Sequence, residues 1–529
     1  MRSLGMKQSR RPSSEKRSVG VSSVAGIVLS VSLCLLAPSP GSAAEVEGAA
    51  GGTFYVATNG DDTTGDGSLG SPWATITHAL DSIPDQSLVL VRPGEYFGRI
   101  RIRGTFPIGV TVRSEVPYQA RLRRNGTVIT AYSDPAGVEG ITLEGFDVAH
   151  DGPGAAALVV HVDGGGNAEV TRITLRDNIL HDSYDNDLLK INNASRDVLV
   201  EGNLFFNQSG SDEHIDVNGV EDVVVQDNIF LNDFAASGRS DPGNTSSFVV
   251  VKDSNGASDL YTGSRNITVR RNIFLNWQGS TGSNFVLLGE DGQNLYEARD
   301  VLVENNLMLG NSDSVLRAAF GVKGCRDVIF RHNTVVGDLP ALAFAMRLNV
   351  EGQNLANDAI GFHNNVWSDP TGSMGESFGG SNDFSDTPPG ETLSFVLDNN
   401  GYWNGGVALP EDPGELVNPS DDASAIVGDP ELGSQEALVV PHYDSGSGTF
   451  ADGSDSIREA FVRLATLYGT PAGGSVVLDA ADAANSPADD LLGQPRNDGA
   501  PDLGAVELSP LFGDGFESGD VSAWSSSGA

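Results

Sequence analysis

Two stretches of this chain gather side chains able to do chemistry: HDSYDNDLLKINN at 181–193 and SGSDEHIDVNGV at 209–220. Together they hold Asp185, Asp187, Asp212, Glu213, His214 and Asp216 beside Lys190. Carboxylates crowded in this way either bind a hard cation such as Ca²⁺ or raise one another's pKa. Asp187, Asp212, Glu213 and Asp216 are the candidate metal ligands. A lysine serves as a general base only when its pKa is lowered by neighbouring cations or burial. Lys190 is the first candidate for that role and Lys252 the second, with Arg317 as a third catalytic candidate. His214 and Arg347 are candidate substrate contacts.

These residues sit inside a repeat. The pattern apolar-x-apolar-x-x-Asn-apolar recurs as ITLRDNIL, VLVEGNLF, VVVQDNIF, ITVRRNIF, VLVENNLM, VIFRHNTV and IGFHNNVW. It places Asn178, Asn203, Asn228, Asn272, Asn306, Asn333 and Asn365 in register. A fixed period of this size means a stacked array of one supersecondary unit. A leucine-rich repeat has a similar core. The apolar positions here are mostly Val, Ile and Phe, which favour strands on both sides of the Asn. A further alternating strand follows in each repeat, as in HIDVNGV, SFVVVKD and AMRLNV, and helical periodicity is absent between them. This predicts an all-β, right-handed parallel β-helix. The asparagines form a ladder at a bend and satisfy buried backbone, and they are not an active site.

Strand alternation then places the candidates. Leu189, Ile191, Ile215, Val217, Val249 and Val251 point inward, so Lys190, His214, Asp216 and Lys252 point outward, as do Arg317 and Arg347 further on. Equal spacing from the ladder sets Asp187 over Asp212. Four cations recurring at one position in an acidic chain form either a track for an anionic ligand or an ion-pair ladder with Asp216, Asp253 and Glu290.

The segment FYVATNGDDTTGDGSLGSPWATITHALDSIPDQSLVLVRPGEYFGRIRI at 54–102 and the Asn repeats resemble secreted proteins of the pectin-lyase-like β-helix superfamily. The resemblance implies a short helix capping the N-terminal end and a β-helix over 53–403. A loop follows over 404–424. The stretch from IVGDPELGSQ to DLLGQPRNDGAPDLGAVEL resembles the tail that closes the other end, over 425–508, and a short tail follows at 509–529. The superfamily includes polysaccharide lyases with a Ca²⁺–lysine centre, which implies an acidic polysaccharide as partner. Two other readings stay open. One is a glycoside hydrolase using Glu213 and Asp216, or Asp187 and Asp212, as acid and base. The other is a non-catalytic carbohydrate-binding or cell-surface protein.

Composition bears on location and partners. Arg2, Lys7, Arg10, Arg11, Lys16 and Arg17 precede an apolar run from Val24 to Ala37 and a small-residue site at Ser42-Ala43-Ala44. That order predicts a signal peptide over 1–44 and a secreted, monomeric product. The apolar run is too short to span a bilayer, and no other segment is predicted to do so. The net charge of −39 argues against nucleic acid or an anionic membrane as partner. Beyond the signal segment Cys325 is the only cysteine, so no intramolecular disulfide is expected and the core must supply the stability. N-terminal sequencing of exported protein is expected to begin at Glu45. A product beginning at Cys34 would contradict this reading.

Overall fold

The computed structural model describes residues 51–508, apart from 134–136, 168, 259, 313, 376–382 and 497–499. The expected signal peptide and the tail at 509–529 lie outside the described residues.

The chain winds into three long parallel sheets of 12, 12 and 10 strands. One coil runs through a first-sheet strand, Arg196–Glu201, then the ladder turn, then the second-sheet strand Leu204–Phe206. A corner loop leads from there to the third-sheet strand Ile215–Asn218. Each strand pairs with its equivalent one coil on, giving the right-handed parallel β-helix expected from the repeat. Phe205, Phe230 and Phe274 stack inside it with ring centres 5.0 Å apart at each step. The N-terminal helix Ile76–Ser82 is capped by the Thr75 side chain and turns Ile76, Ala79 and Leu80 onto the end of the core.

The ladder is continuous. Nδ2 of Asn178 donates to Oδ1 of Asn203 at 3.1 Å, and the pattern repeats through Asn228, Asn272, Asn306, Asn333 and Asn365 at 2.9–3.1 Å. Each Oδ1 also accepts the backbone N–H of the preceding ladder Asn. Asn365 passes the bond to Asn400, an extra rung that the repeat pattern missed, and Asn400 ends on Oδ2 of Asp422 at 2.8 Å. The residue before each rung bends in the left-handed region: Asp177, Gly202, Asp227, Arg271, Asn305, His332, Asn364 and Asn399. For a non-glycine residue that bend costs about 1–2 kcal/mol, and the amide bonds offset it.

Most of the expected closing segment does something else. Leu409, Leu416, Val417 and Ala425 cover the end of the core, so the stretch expected to be a loop does much of the closing. The described residues between Tyr443 and Val506 lie along the outer face of the second sheet. Tyr443, Phe450, Ile457, Phe461, Leu464 and Val506 pack on Ile179, Phe206, Leu231, Leu275 and Leu309. The reason is in the strands: Ile-Leu-His, Leu-Phe-Phe, Ile-Phe-Leu and Leu-Met-Leu are apolar on both faces. The outer face must therefore be covered. Among the described residues no helix is long and apolar enough to cross a membrane.

Asn228 makes side-chain bonds to Val200 and Asn272 and receives two from Asn203. Asn228→Ala is expected to destabilise the fold by about 3 kcal/mol through orphaned buried groups, read as a lower midpoint in urea unfolding.

Candidate functional site

The third sheet positions the site. Leu189–Asn192, Ile215–Asn218 and Thr245–Lys252 are neighbouring strands, with Lys190 paired to Asp216 and Asn192 to Asn218 and then Lys252. Leu189, Ile191, Ile215, Val217, Val249 and Val251 fill the core, which turns Lys190, Asp216 and Lys252 to the outer face. Asp187 and Glu213 occupy the corners just before their strands, joined where Glu213 N–H donates to Asp187 Oδ1 at 3.0 Å.

This corner corrects the expected stacking. The ladder advances 25 residues from Asn178 to Asn203, whereas the third sheet advances 26 from Leu189 to Ile215. The extra residue in the corner loop sets Asp187 against Glu213 in place of Asp212.

Asp187, Glu213 and Asp216 are 1%, 2% and 1% exposed, and one oxygen from each lies within 4.8 Å of the others. Each also has a buried oxygen with no hydrogen-bond partner: Asp187 Oδ2, Glu213 Oε2 and Asp216 Oδ1. Two ammonium groups border them. Lys190 Nζ hydrogen-bonds Asp216 Oδ2 and stands 3.8 Å from Asp187 Oδ2. Lys252 Nζ is 3.6 Å from the same Asp216 oxygen and 2.5 Å from Glu290 Oε2.

Burial, reinforced by Asp216, pushes the Asp187 carboxyl up to about 7. Burial and Asp187 hold Glu213 well above the usual carboxylate range. Burial alone would lower Lys190 and Lys252, but Asp216 and its neighbours more than offset it, so both ammonium groups are stabilised. Burial likewise raises Asp291, to about 6. A trio with open oxygens at these separations matches the donor set of one hard divalent cation, which holds oxygens about 2.3–2.6 Å away.

The remaining candidates are placed differently. Asp212 is half-buried at the rim, outside the trio, and burial raises its carboxyl too. His214 is fully buried and does not face solvent. It precedes the strand, so alternation does not govern it. Its ring turns inward against Phe248 at 4.6 Å, Nε2 meets Asn232 Oδ1 at 3.0 Å, and burial lowers it to about 3. A substrate contact there is ruled out by position.

The four cations do not form one column. Arg347 shares the register column of Lys190 but lies five strands away, beyond Asp216, Val250, Leu287 and Gly321. Lys252 is two residues along its strand from that column. Arg317 precedes its strand and pairs with Asp386 at 2.5 Å, as Arg347 does at 3.0 Å. Both arginines thus belong to a separate ion pair. Asp253, expected in an ion-pair ladder, accepts backbone N–H groups of Asn255, Gly256 and Gly263.

Sequence reasoning missed His161 and Tyr132, one and two strands before Lys190 on the same face. His161 Nε2 meets Asn192 Oδ1 at 2.9 Å and Nδ1 meets the Tyr132 hydroxyl at 3.0 Å. Their strands lie before the first ladder Asn found in the sequence, so the repeat gave them no register.

No family model matches the sequence and no curated sequence is detectably similar. Among solved structures the chain is similar to the pectate lyase Pel9A, at 14% identity over 87% of this chain and 97% of that one, with a TM-score of 0.49. It is similar to a lacto-N-biosidase from Eubacterium ramulus at 13% identity, covering 66% and 68% of the two chains, with a TM-score of 0.43. The alginate lyase AlyGC follows at 11% identity, 70% and 54% coverage and a TM-score of 0.40. The fold itself rests on the sheet topology above.

An acid whose folded pKa is raised favours the folded state at low pH. It loses that contribution as pH rises above its unfolded value of about 4, for Asp187 up to about 7. Glu213→Gln mimics the protonated acid. In chelator, it is expected to be more stable than the parent at pH 8, with the gap narrowing toward pH 4.5, as read by calorimetric Tm.

Proposed function

We propose that this protein is a secreted, Ca²⁺-assisted lyase that cleaves an acidic polysaccharide by β-elimination. The observation that carries the reading is the buried Asp187–Glu213–Asp216 trio with three unpartnered oxygens, flanked by Lys190 and Lys252 on an open sheet face. Asp187, Glu213 and Asp216 would hold the cation, with Asp212 at the rim. A bound Ca²⁺ supplies positive charge that neutralises a uronate carboxylate and so acidifies the proton next to it.

The chain's own groups do the rest. Asp216 and Asp187 raise the Lys190 ammonium against the effect of burial, and Asp216 does the same for Lys252. Once their oxygens are engaged elsewhere, the lysines lose that support and one becomes available as base. It takes the proton alpha to the uronate carboxylate. The electron pair left behind forms a carbon–carbon double bond as the glycosidic oxygen departs, and water protonates that oxygen. Lys190 and Lys252 reach the same Asp216 oxygen from the two neighbouring strands, and either position fits this role.

The test is absorbance of the unsaturated uronate product with polygalacturonate and alginate, with and without Ca²⁺. The parent is expected to be active only with Ca²⁺. Lys190→Ala or Lys252→Ala is expected to lower kcat by about 10²–10⁴-fold, the usual cost of losing a positioned base, with Ca²⁺ affinity retained. No product from any polyuronate would overturn the enzymatic reading in favour of a binding protein. In addition, Asp187 titrates near 7, so Ca²⁺ binding is expected to release protons and to weaken from pH 8 to pH 5.5. Calorimetry in two buffers of different ionisation enthalpy measures this.

A further inference from the structure

The outer face of the third sheet continues past the site toward the N-terminal end. Register runs from Lys190 through His161 and Thr130 to Arg101, three strand spacings or about 14 Å. Arg101 and its neighbour Arg99 are exposed, and neither side chain makes an ion pair among the described residues. Most arginines of the described residues are paired with carboxylates, among them Arg103, Arg121, Arg123, Arg172, Arg176 and Arg239, and of the others Arg92 and Arg124 donate to backbone carbonyls. In a chain of net charge −39, bare arginines are a scarce resource.

Two exposed aromatic rings flank them, Phe97 at 65% and Tyr132 at 39%. The Tyr132 ring is held in place: its hydroxyl bonds His161, and the His161 ring meets it edge-on at 5.0 Å and 87°. A fixed aromatic face suits the C–H face of a sugar, and an arginine fork suits a carboxylate. Arg101 borders two hollows of about 380 and 180 Å³, the first also lined by Phe97 and Arg99 and the second by Tyr132. Carboxylates on the adjoining elements are engaged: Glu95 with Arg121, Asp81 with Arg103, and Asp163 with Gly165 N–H and Asn193.

We propose that Phe97, Arg99, Arg101 and Tyr132 form a second binding surface for a uronate oligosaccharide, which holds the polymer several sugars away from the Lys190 centre. This rests on the reading of the substrate as an acidic polysaccharide, but not on catalysis. Sugar is favoured over nucleic acid or anionic lipid because this surface continues in register along one sheet face into the Lys190 centre read as the acidic-polysaccharide site.

Binding is measured by titration calorimetry in chelator, which suppresses elimination. The probes are polygalacturonate, alginate, methyl-esterified polygalacturonate and a thymidine oligonucleotide. The parent is expected to bind at least one of the two acidic polymers, more weakly as salt rises, and the esterified polymer about tenfold more weakly than polygalacturonate. Arg99→Gln with Arg101→Gln is expected to raise Kd about tenfold, and Tyr132→Ala by a similar factor. Arg326→Gln, at an exposed arginine of the first sheet, is expected to change it less than about twofold, which separates this surface from a general effect of charge. The arginines are exposed, so an unchanged Tm is expected to show that the fold is intact. An unchanged Kd in the double arginine variant, equal binding of the oligonucleotide, or no binding of either acidic polymer overturns the proposal. Activity of the parent on polyuronates, scored separately, shows whether the elimination reading stands.

Discussion

From Asn178 onward the coils depend on the amide ladder at the first bend of each. The bend needs a left-handed residue, which costs free energy in every coil that supplies it from a non-glycine side chain. The Asn that follows turns its amide onto the next coil and its oxygen onto the backbone of the previous one. Buried polar groups are satisfied and the coils are locked in register by the same four bonds. Since one residue of slip would move a whole strand face from core to solvent, that lock is what keeps Lys190, Asp216 and Lys252 on the outside.

The candidate centre arises where the ladder's period is broken. The lock fixes the first and second sheets at 25 residues for this coil, but the corner loop before the third sheet carries one more. The extra residue draws Glu213 inward beside Asp187, and the low dielectric there makes ionising both costly. Such a group of acids is a poor contributor to the bare fold and a good receptor for positive charge. Lys190 and Lys252 supply that charge in this structure, each using the same oxygen of Asp216.

The sequence made the ladder, the strands and the sheet face of Lys190 and Asp216 readable, because each follows from a period. Asp187, Glu213 and Asp216 were readable as residue types but not as a trio, since a corner loop has no period to count. His214 misled for the same reason: alternation was extended one residue past the strand start. The column of four cations failed because Lys252 sits two residues along its strand and Arg317 precedes its strand, while Arg347, in register with Lys190, meets Asp386 on the next strand. The cover on the second sheet was legible after all in strands apolar on both faces, such as Leu-Phe-Phe, which announce a second layer.

The end of the ladder gives the chain a direction. Every rung donates forward, to an acceptor that comes later in the sequence, and the series stops at Asp422, whose Oδ2 takes the Asn400 backbone and side chain and the Tyr402 hydroxyl. A carboxylate accepts but cannot donate, so it is a chemical full stop. A chain made from its N-terminus therefore carries an unanswered amide on its newest coil at every stage. That growing tip presents strand edges to which another strand could add, and its cover is complete only once the segment from Leu409 to Val427 has been made. The length of the solenoid is thus written as a switch from amide to acid at a single rung.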